Sequence, residues 1–289
     1  MKLSDLLLKG ERLLEECYEK EEAKASAWFL LTGVLKLTSA DYLEKKDMDL
    51  SREQEQQYEK ALSRRMSHEP IAYILGEWEF MGLPFKTDQR ALIPRSDTEA
   101  LVENAISYAK KSWQKGKSYR ILDLCTGTGA IAISLAHYLN AYRPQVTATD
   151  LSEEALCLAK ENARLNRVSL SFRQGDLLQA LDQSDDPERF DLITCNPPYV
   201  AKKVLSELDA DVTAFEPHLA LYGGDDGLDL YRRLIPSLPA HLAQDGAVFL
   251  EIGDEQGEAV LQMMKDAFPA DRCFMRQDLA GKDRVVCFV

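Results

Sequence analysis

The spacing of hydrophobic residues changes along the chain, and its first part has a helical period. In residues 1–75, apolar residues recur every three or four positions, as in "LSDLLLKGERLLEE" and "KASAWFLLTGVLKL", which predicts amphipathic helices. A more polar segment, "SREQEQQYEKALSRRMS", has Ser51 and Gln54 at the spacing of a helix capping box. The pattern therefore predicts a small α-helical bundle domain over residues 1–75.

Two further patterns follow. In residues 76–95 aromatic and polar residues alternate around Gly82 and Pro84, which predicts a β-hairpin connector. In residues 96–289 short apolar runs alternate with amphipathic helical segments, one of them predicted over residues 227–243, which is typical of an α/β fold with a doubly wound, mostly parallel sheet. We predict an antiparallel edge hairpin from the last two of seven strands: "RILDLCT", "VTATD", "LSFRQGD", "FDLITCN", "GAVFLEIG", "CFMRQDL" and "RVVCFV".

Composition narrows the class of protein. No apolar run approaches the ~20 residues of a membrane span, and the charged N-terminus does not resemble a signal peptide. The net charge of -13 argues against a nucleic-acid binder, because such proteins carry a basic face. The six cysteines include no C-x-x-C pair, so we expect free thiols in a reducing cytoplasm and no metal site.

A strand, a glycine-containing turn and a helix are predicted in "LDLCTGTGAIAISLA", residues 122–136. Gly127 and Gly129 allow the backbone to approach a ligand closely at the carboxyl end of the strand. The next strand ends at Asp150, where an acid contacts ribose in nucleotide-binding sheets, and the following one ends at Asp176, which can accept from an adenine amino group. Each feature alone also occurs in ordinary tight turns and helix caps.

The glycine turn lacks the signatures of phosphate-binding loops. Neither G-x-G-x-x-G nor G-x-x-x-x-G-K-[ST] is present in the chain. A ribose and adenine site without a phosphate cradle indicates a nucleoside cofactor such as S-adenosylmethionine. Asp123, at the end of the first strand, is then expected near the amino-acid end of this cofactor.

The segment "FDLITCNPPYV", residues 190–200, ends a strand in Asn196-Pro197-Pro198-Tyr199. Prolines have no N–H to donate, so the strand must stop there. The Asn196 side chain and the Pro197 backbone carbonyl offer two acceptors, and the Tyr199 ring offers a flat face. This set fits a planar NH2 group, whose lone pair two acceptors can turn toward a methyl donor without a strong base. An edge-strand turn with a buried tyrosine is the alternative.

This motif beside the glycine turn resembles the class I S-adenosylmethionine-dependent methyltransferases that modify adenine, cytosine or a protein glutamine. Across nearly the whole chain, the sequence resembles the PrmC/HemK family, the glutamine-N5 methyltransferases of class 1 peptide-chain release factors. Two departures are Cys125, where glycine is common, and Ser96, where proline is usual. The stretches that carry the resemblance are "EPIAYILGEWEFMGLPF", "LIPRSDTEALVE", "FEPHLALYGGDDGLDLYRRL", "LEIGDEQG" and "DLAGKDRVV".

The resemblance implies a seven-stranded class I methyltransferase sheet, S-adenosylmethionine as cofactor, and the glutamine of the release factors' Gly-Gly-Gln loop as target. Asn196, Pro197 and Tyr199 are then the catalytic residues, and the N-terminal bundle recognises the release factor. The cofactor-binding residues become Asp123, Thr126, Gly127, Thr128, Gly129, Asp150, Leu151, Asp176, Leu177 and Asn196. The substrate-binding residues become Asn196, Pro197, Pro198, Tyr199, Phe80 and Arg95. We expect a cytoplasmic monomer without membrane association or stable nucleic-acid binding.

Three alternatives remain open. An adenine-N6 methyltransferase of DNA or RNA would use the same four-residue turn, but the basic segment 110–120 precedes the first strand and so lies at the other end of the sheet. A glutamine methyltransferase of a ribosomal protein and a non-enzymatic binding module on this fold are the others. We assign structural roles to Glu216, His218 and Glu251, and note that Phe80 can equally pack between domains.

Overall fold

The computed structural model describes residues 1–181 and 186–289, which form two compact units. The first unit contains Met1–Glu77 and Asp209–Phe215, and the second contains the described residues of Trp78–Leu208 and Glu216–Val289. None of the helices in these described residues is both long enough and apolar enough to cross a membrane.

The first unit is helical, as its hydrophobic period predicts, and its buried leucines pack around Tyr58. The predicted capping box is confirmed, because the Ser51 hydroxyl accepts from the Gln54 N–H at 3.2 Å and the Gln54 side chain accepts from the Ser51 N–H at 3.0 Å. The helices are α1 (Leu3–Leu14), α2 (Lys20–Leu35), α3 (Ser39–Lys45), α4 (Arg52–Met66) and α5 (Ile71–Leu75).

A short segment distant in sequence also belongs to the first unit. Its residues Ala210–Phe215 form a helix that carries Asp211. Asp211 accepts from the guanidinium of Arg65, which is 4% exposed and also donates to Glu22 at 2.9 Å. A buried guanidinium needs such partners, since an unpaired buried charge is strongly destabilising. This ion pair therefore holds the segment in the unit.

The second unit begins with the predicted hairpin, β1 (Glu77–Phe80, its first residue in the first unit) and β2 (Leu83–Lys86). Asn162, which is fully buried, joins the hairpin to the main body: its side chain accepts from the Lys86 N–H at 2.7 Å and donates to the Lys86 carbonyl at 3.1 Å. The hairpin thus packs beside the same helix that borders the glycine turn.

The predicted seven-stranded sheet is confirmed, including its antiparallel edge. The strand order is β5-β4-β3-β6-β7-β9-β8, parallel except where β9 pairs with its two neighbours. Successive residues of each strand point to opposite faces, and each face is covered by its own hydrophobic cluster. The strands are β3 (Tyr119–Leu124), β4 (Pro144–Asp150), β5 (Ser171–Gln174), β6 (Phe190–Cys195), β7 (Leu242–Glu251), β8 (Cys273–Gln277) and β9 (Asp283–Phe288).

The helical segment predicted over residues 227–243 is shorter and broken in the structure. Pro236 and Pro239 each remove a backbone donor, so one continuous helix is replaced by two short helices joined by a 3-10 turn. The remaining helices are α6 (Glu99–Ser112), α7 (Ala130–Tyr138), α8 (Glu153–Leu165), α9 (Lys202–Leu205), α10 (Ala210–Phe215, described above), α11 (Asp229–Leu234), α12 (Leu238–His241) and α13 (Gly257–Ala267).

Candidate active site

The carboxyl ends of three neighbouring strands bring the predicted site residues to one edge of the sheet. Leu124, the last residue of β3, is level with Thr149 in β4 and with Cys195 in β6. The glycine turn, Asp150 and Asn196 each begin one residue further along. In open α/β sheets this edge is where ligands bind.

The glycine turn, Cys125–Gly129, has left-handed backbone at three positions: φ is 56° at Cys125, 54° at Gly127 and 82° at Gly129. Two backbone hydrogen bonds close it, from Thr126 N–H to the Thr149 carbonyl (2.9 Å) and from Gly129 N–H to the Thr126 carbonyl (2.8 Å). A side chain at Gly127 would meet nothing nearer than a carbon 4.0 Å away. This side of the turn is therefore open to a ligand.

Asp150 connects the glycine turn to the end of β4. One carboxylate oxygen accepts from the Gly127 N–H at 2.8 Å and the other from the Ser152 N–H at 2.9 Å. Burial raises the pKa of Asp150, and these backbone donors act against that shift. Each carboxylate oxygen can accept more than one hydrogen bond. The open face at Gly127 and this carboxylate together fit the ribose of a nucleoside cofactor.

Asp123 lies beneath the glycine turn and is fully buried. It accepts from the Thr126 hydroxyl at 2.6 Å and from the Thr194 hydroxyl at 2.8 Å. Burial raises the pKa of Asp123 to about 7, while the two hydroxyls lower it. The side chain thus braces the turn from the protein interior, and its contact with the cofactor stays a prediction. Thr128 is also buried, and its carbonyl accepts from the side chain of Asn162 at 3.0 Å.

The predicted adenine side of the site lies after β5. The Asp176 carboxylate accepts from the Arg233 guanidinium at 2.5 Å. Leu177 is buried with φ 52°, whereas Leu151 is 49% exposed beside Asp150. An exposed leucine at a strand end provides an apolar surface for a flat base, so these residues stay candidates for the adenine contact.

The turn Asn196–Tyr199 follows β6 directly. Asn196 is half-buried, and its Nδ2 donates to the Thr98 hydroxyl at 3.2 Å. The amide oxygen, Oδ1, is therefore left to accept from a ligand. Pro197 is buried and rigid, which fixes the direction of its own carbonyl group.

Tyr199 is held at both its hydroxyl and its backbone. The hydroxyl lies 3.4 Å from Oε1 of Glu251, and burial raises the pKa of Tyr199 far above its ordinary value. The Gln256 side chain donates to the Tyr199 carbonyl at 2.9 Å and to the Gly227 carbonyl at 3.1 Å. A side chain at Gly227, where φ is 79°, would stand 2.3 Å from the Tyr199 carbonyl oxygen. Glycine is needed there for this close approach.

Two other predicted substrate residues, Phe80 and Arg95, have side-chain partners outside the Asn196–Tyr199 turn. Phe80 is 1% exposed and packs edge-on against Phe85, so the structure places it in the hydrophobic core. Arg95 is partly exposed, and its guanidinium donates to the buried Glu216 at 2.5 Å. Glu216 also accepts from the Ile93 N–H at 3.3 Å and so orders this loop, the role expected from the sequence. Pro198 is half-buried between its neighbours in the turn.

Four residues that support the Asn196–Tyr199 turn were not predicted as site residues. They are Thr98, Gly227, Glu251 and Gln256. All four lie in stretches that carry the family resemblance, "LIPRSDTEALVE", "FEPHLALYGGDDGLDLYRRL" and "LEIGDEQG". Their place in these stretches could have marked them as candidate site residues, but it did not indicate which side chain each of them contacts.

Comparison with known proteins identifies both parts of the chain. Residues 5–76 match the PrmC N-terminal domain, and residues 115–221 match a methyltransferase domain. The structure also resembles a known fold: over 82% of each chain, it matches the catalytic domain of hMettl16 in complex with the MAT2A 3'UTR hairpin 6, with a TM-score of 0.51 and 16% identity. At that identity the likeness concerns the fold alone.

Relatives of known name cover most of the chain. It is 41% identical to the release factor glutamine methyltransferase of Lactococcus lactis over 78% of this chain and 79% of the relative. The proteins of the same name from Streptococcus pneumoniae and Moorella thermoacetica are 33% identical (99% and 98% covered) and 39% identical (93% and 91% covered). These relatives and the methyltransferase match indicate S-adenosylmethionine as cofactor. The chain belongs to the family of release factor glutamine methyltransferases.

Proposed function

We propose that this protein transfers a methyl group from S-adenosylmethionine to the side-chain amide nitrogen, N5, of the glutamine in the Gly-Gly-Gln motif of class 1 peptide-chain release factors. The names of the relatives support glutamine of a release factor as the target. One observation carries the assignment: Asn196 donates its Nδ2 to Thr98 and so offers Oδ1 at the strand end beside the glycine turn.

The Asn196–Tyr199 turn holds the target amide. Asn196 Oδ1 accepts one N–H of the substrate amide, and the Pro197 carbonyl accepts the other. Tyr199 packs its ring against the amide plane, and Pro198 keeps the turn rigid. With both N–H bonds fixed, the nitrogen lone pair points out of the amide plane. The turn lowers the barrier to methyl transfer in two ways. It orients the substrate amide, and it stabilises the positive charge that develops on the amide nitrogen.

The glycine turn and Asp150 hold the methyl donor. When bound, S-adenosylmethionine supplies an electrophilic methyl group on a positively charged sulfur. Asp150 accepts from the ribose hydroxyls, Gly127 and Gly129 allow the close approach of the turn, and Asp176 with Leu151 faces the adenine. The substrate nitrogen gains a methyl group and releases one proton to water, so no residue of the site has to act as a strong base.

We assign recognition of the release factor body to the N-terminal helical bundle, residues 1–75, and the amide contact to the methyltransferase domain, residues 96–289. Residues 76–95 connect them, with Arg95 beside the substrate. Because release factors act in translation, we infer that the protein works in the cytoplasm. We also propose that it is a monomer. No nucleic-acid contact is needed for this reaction.

A methyl-transfer assay with labelled S-adenosylmethionine and an unmodified class 1 release factor tests the proposal. Peptide mass spectrometry locates the label, and a release factor with its loop glutamine changed to alanine is the control. Label on the loop glutamine of the natural factor alone is the expected result. Label on a ribosomal protein, or on adenine in DNA or RNA, with none on the release factor would overturn the proposal.

A further inference from the structure

Behind Asn196, a chain of three polar side chains leads into the protein interior. Asn196 Nδ2 donates to the hydroxyl of Thr98, which is 4% exposed. The Thr98 side chain is close enough to Glu251, which is fully buried at the end of β7, to favour the charged form of its carboxylate and so lower its pKa. The three residues come from three separate segments of the second unit. Of these three residues, only Asn196 is assigned to cofactor binding.

The direction of the hydrogen bonds in this chain is determined by the carboxylate. A charged carboxylate can only accept, whereas a threonine hydroxyl has one proton to give and lone pairs to accept with. If Thr98 donates its proton to Glu251, it can only accept from Asn196. The amide of Asn196 must then point its Nδ2 inward and its Oδ1 outward.

We propose that Thr98 and Glu251 are positioning residues, which fix the Asn196 side-chain amide in the orientation that presents its oxygen to the substrate. This inference rests on the proposed function, because it concerns the amide that the enzyme is to methylate. An inverted Asn196 would present an NH2 group to the substrate NH2 group. Two donors facing each other form no hydrogen bond, and the lone pair of the target nitrogen would lose its alignment.

The surroundings of Glu251 support a role beyond packing. Its Oε2 atom is buried without a hydrogen-bond partner among the described residues, which is rare for a polar atom in a protein interior. Two tyrosines contact Glu251. The Tyr199 hydroxyl lies next to Oε1, and the Tyr231 hydroxyl donates to the Glu251 backbone carbonyl at 2.7 Å. Arg284 is a nearby cation, and it is itself paired with Asp97 at 3.3 Å and with Asp278 at 3.1 Å. The buried carboxylate thus lies near a guanidinium that also pairs with two other acids.

This arrangement makes the orientation sensitive to pH. Burial raises the pKa of Glu251 to about 7, although Thr98, Arg284 and Tyr199 favour the charged form, while Asp97 adds to the rise. Below that pH the protonated carboxyl group donates to Thr98, the Thr98 proton turns toward Asn196, and the amide inverts to accept it. Turnover at saturating substrates is therefore expected to fall as the pH drops through about 7, with a slope of one proton.

Variants of Thr98 test the geometry at pH 8. Thr98→Val keeps the shape but removes the hydroxyl, so we expect kcat for release-factor methylation to fall about 10- to 100-fold. Thr98→Ser keeps the hydroxyl, and we expect it to restore kcat to within about threefold of the natural enzyme. Thr147→Val, a buried change within β4, is the matched control and should leave kcat unchanged. Affinity for S-adenosylmethionine, measured by calorimetry, should stay within about twofold for all three variants.

A change of Glu251 tests the direction of the hydrogen bonds that lead from Asn196 through Thr98 to Glu251. Glu251→Gln removes the titrating group, so the fall of kcat below pH 7 should disappear, and kcat at pH 8 should drop about tenfold, because a glutamine can donate as well as accept. Glu188→Gln, at the opposite end of the sheet beside Arg120 and Arg173, is the control that should keep the pH profile.

Each result has one meaning. If the natural enzyme does not methylate the release factor, the proposed function fails, and this inference fails with it. If it methylates the factor but Thr98→Val keeps its kcat, or the acid limb persists in Glu251→Gln, only the inference is overturned. The persistent limb would then belong to another group, such as Asp123, whose pKa is also raised to about 7 by burial.

Discussion

The two turns of the site, Cys125–Gly129 and Asn196–Tyr199, are held in place by different kinds of contact. The glycine turn is closed by its own backbone and by the adjacent strand end, where Asp150 accepts from Gly127. The Asn196–Tyr199 turn is held by residues far away in the sequence: Thr98 is 98 positions from Asn196, and Glu251 and Gln256 are 52 and 57 positions from Tyr199.

This difference matches the work that each turn has in the proposed reaction. A cofactor is bound through many contacts, so the glycine turn beneath it tolerates small shifts of single residues. The target amide is held by two acceptors, so a shift of less than 1 Å or an inverted amide removes the alignment on which the rate depends. We therefore expect changes around Asn196 to lower kcat, and changes around Gly127 to alter cofactor affinity or stability.

The largest effect is expected from Asn196→Ala. It removes one of the two acceptors that hold the substrate amide, and the loss of a comparable preorganised group lowers kcat by about 10²- to 10³-fold. Affinity for S-adenosylmethionine should change less than about threefold, which calorimetry measures. Asn166→Ala is the matched control, since that asparagine donates to the Pro84 carbonyl on the hairpin. Equal losses of kcat and cofactor affinity would contradict the division between the turns.

Asp150→Ala should act in the opposite way. It removes the acceptor for the ribose and the partner of the Gly127 N–H, each a hydrogen bond to a charged group that contributes about 1.5–3 kcal/mol. We expect affinity for S-adenosylmethionine to fall about 10- to 100-fold, with a smaller change in kcat at saturating cofactor. Glu188→Gln serves here too as a change of charge away from the site. A loss of kcat without a loss of affinity would place Asp150 outside the cofactor contact.

Gly227→Ala tests the long-range support of the Asn196–Tyr199 turn. Its side chain would stand 2.3 Å from the Tyr199 carbonyl, so the turn must move, and we expect kcat to fall about tenfold with cofactor affinity unchanged. Gly281→Ala is the matched control, because φ is 79° at both glycines but a side chain at Gly281 meets nothing within 4 Å. Gly281→Ala should lose about 1–2 kcal/mol of unfolding free energy, because its φ is positive, and Gly227→Ala should lose more, because its side chain also clashes; denaturant titration measures both. Similar kcat values for the two variants would show that the close approach has no role in the reaction.

The same difference explains what the sequence could predict. Residues 122–136 and 190–200 each contain a strand and its turn in one continuous segment, so local pattern alone located Gly127 and Asn196 at the sheet edge. The partners of Asn196 depend on which distant segments the fold brings together, and no local pattern contains that information. Glu251 was therefore interpreted as structural, although its carboxylate lies 3.4 Å from the Tyr199 hydroxyl.

Burial was the second quantity that the sequence left open. Phe80 lies in an alternating aromatic segment that fits either a substrate surface or a core, and only the packing against Phe85 decides for the core. The helix predicted over residues 227–243 was wrong for a different reason: its hydrophobic period was sound, but Pro236 and Pro239 interrupt the backbone hydrogen bonds that a continuous helix needs.

The smallest effect is expected from Cys125→Gly, in the glycine turn. Cys125 has φ 56°, a conformation that costs a residue with a side chain about 1–2 kcal/mol, and glycine would remove that strain. Glycine also loses more conformational freedom on folding, by roughly 0.5–1 kcal/mol, so the two effects nearly cancel. The free energy of unfolding, measured by denaturant titration, should therefore change by less than about 1 kcal/mol, with kcat unchanged.

Cys125→Val sharpens this last expectation. A branched side chain at the same φ adds strain without any gain in backbone freedom, so this variant should lose roughly 1–2 kcal/mol of unfolding free energy and some affinity for S-adenosylmethionine. Its kcat at saturating cofactor should stay close to that of the natural enzyme, because Cys125 does not hold the substrate amide. If Cys125→Gly instead lowers kcat about tenfold, the thiol acts on the neighbouring strand end at Cys195. The two turns would then be coupled through these thiols, and the separate roles of cofactor turn and substrate turn would no longer hold.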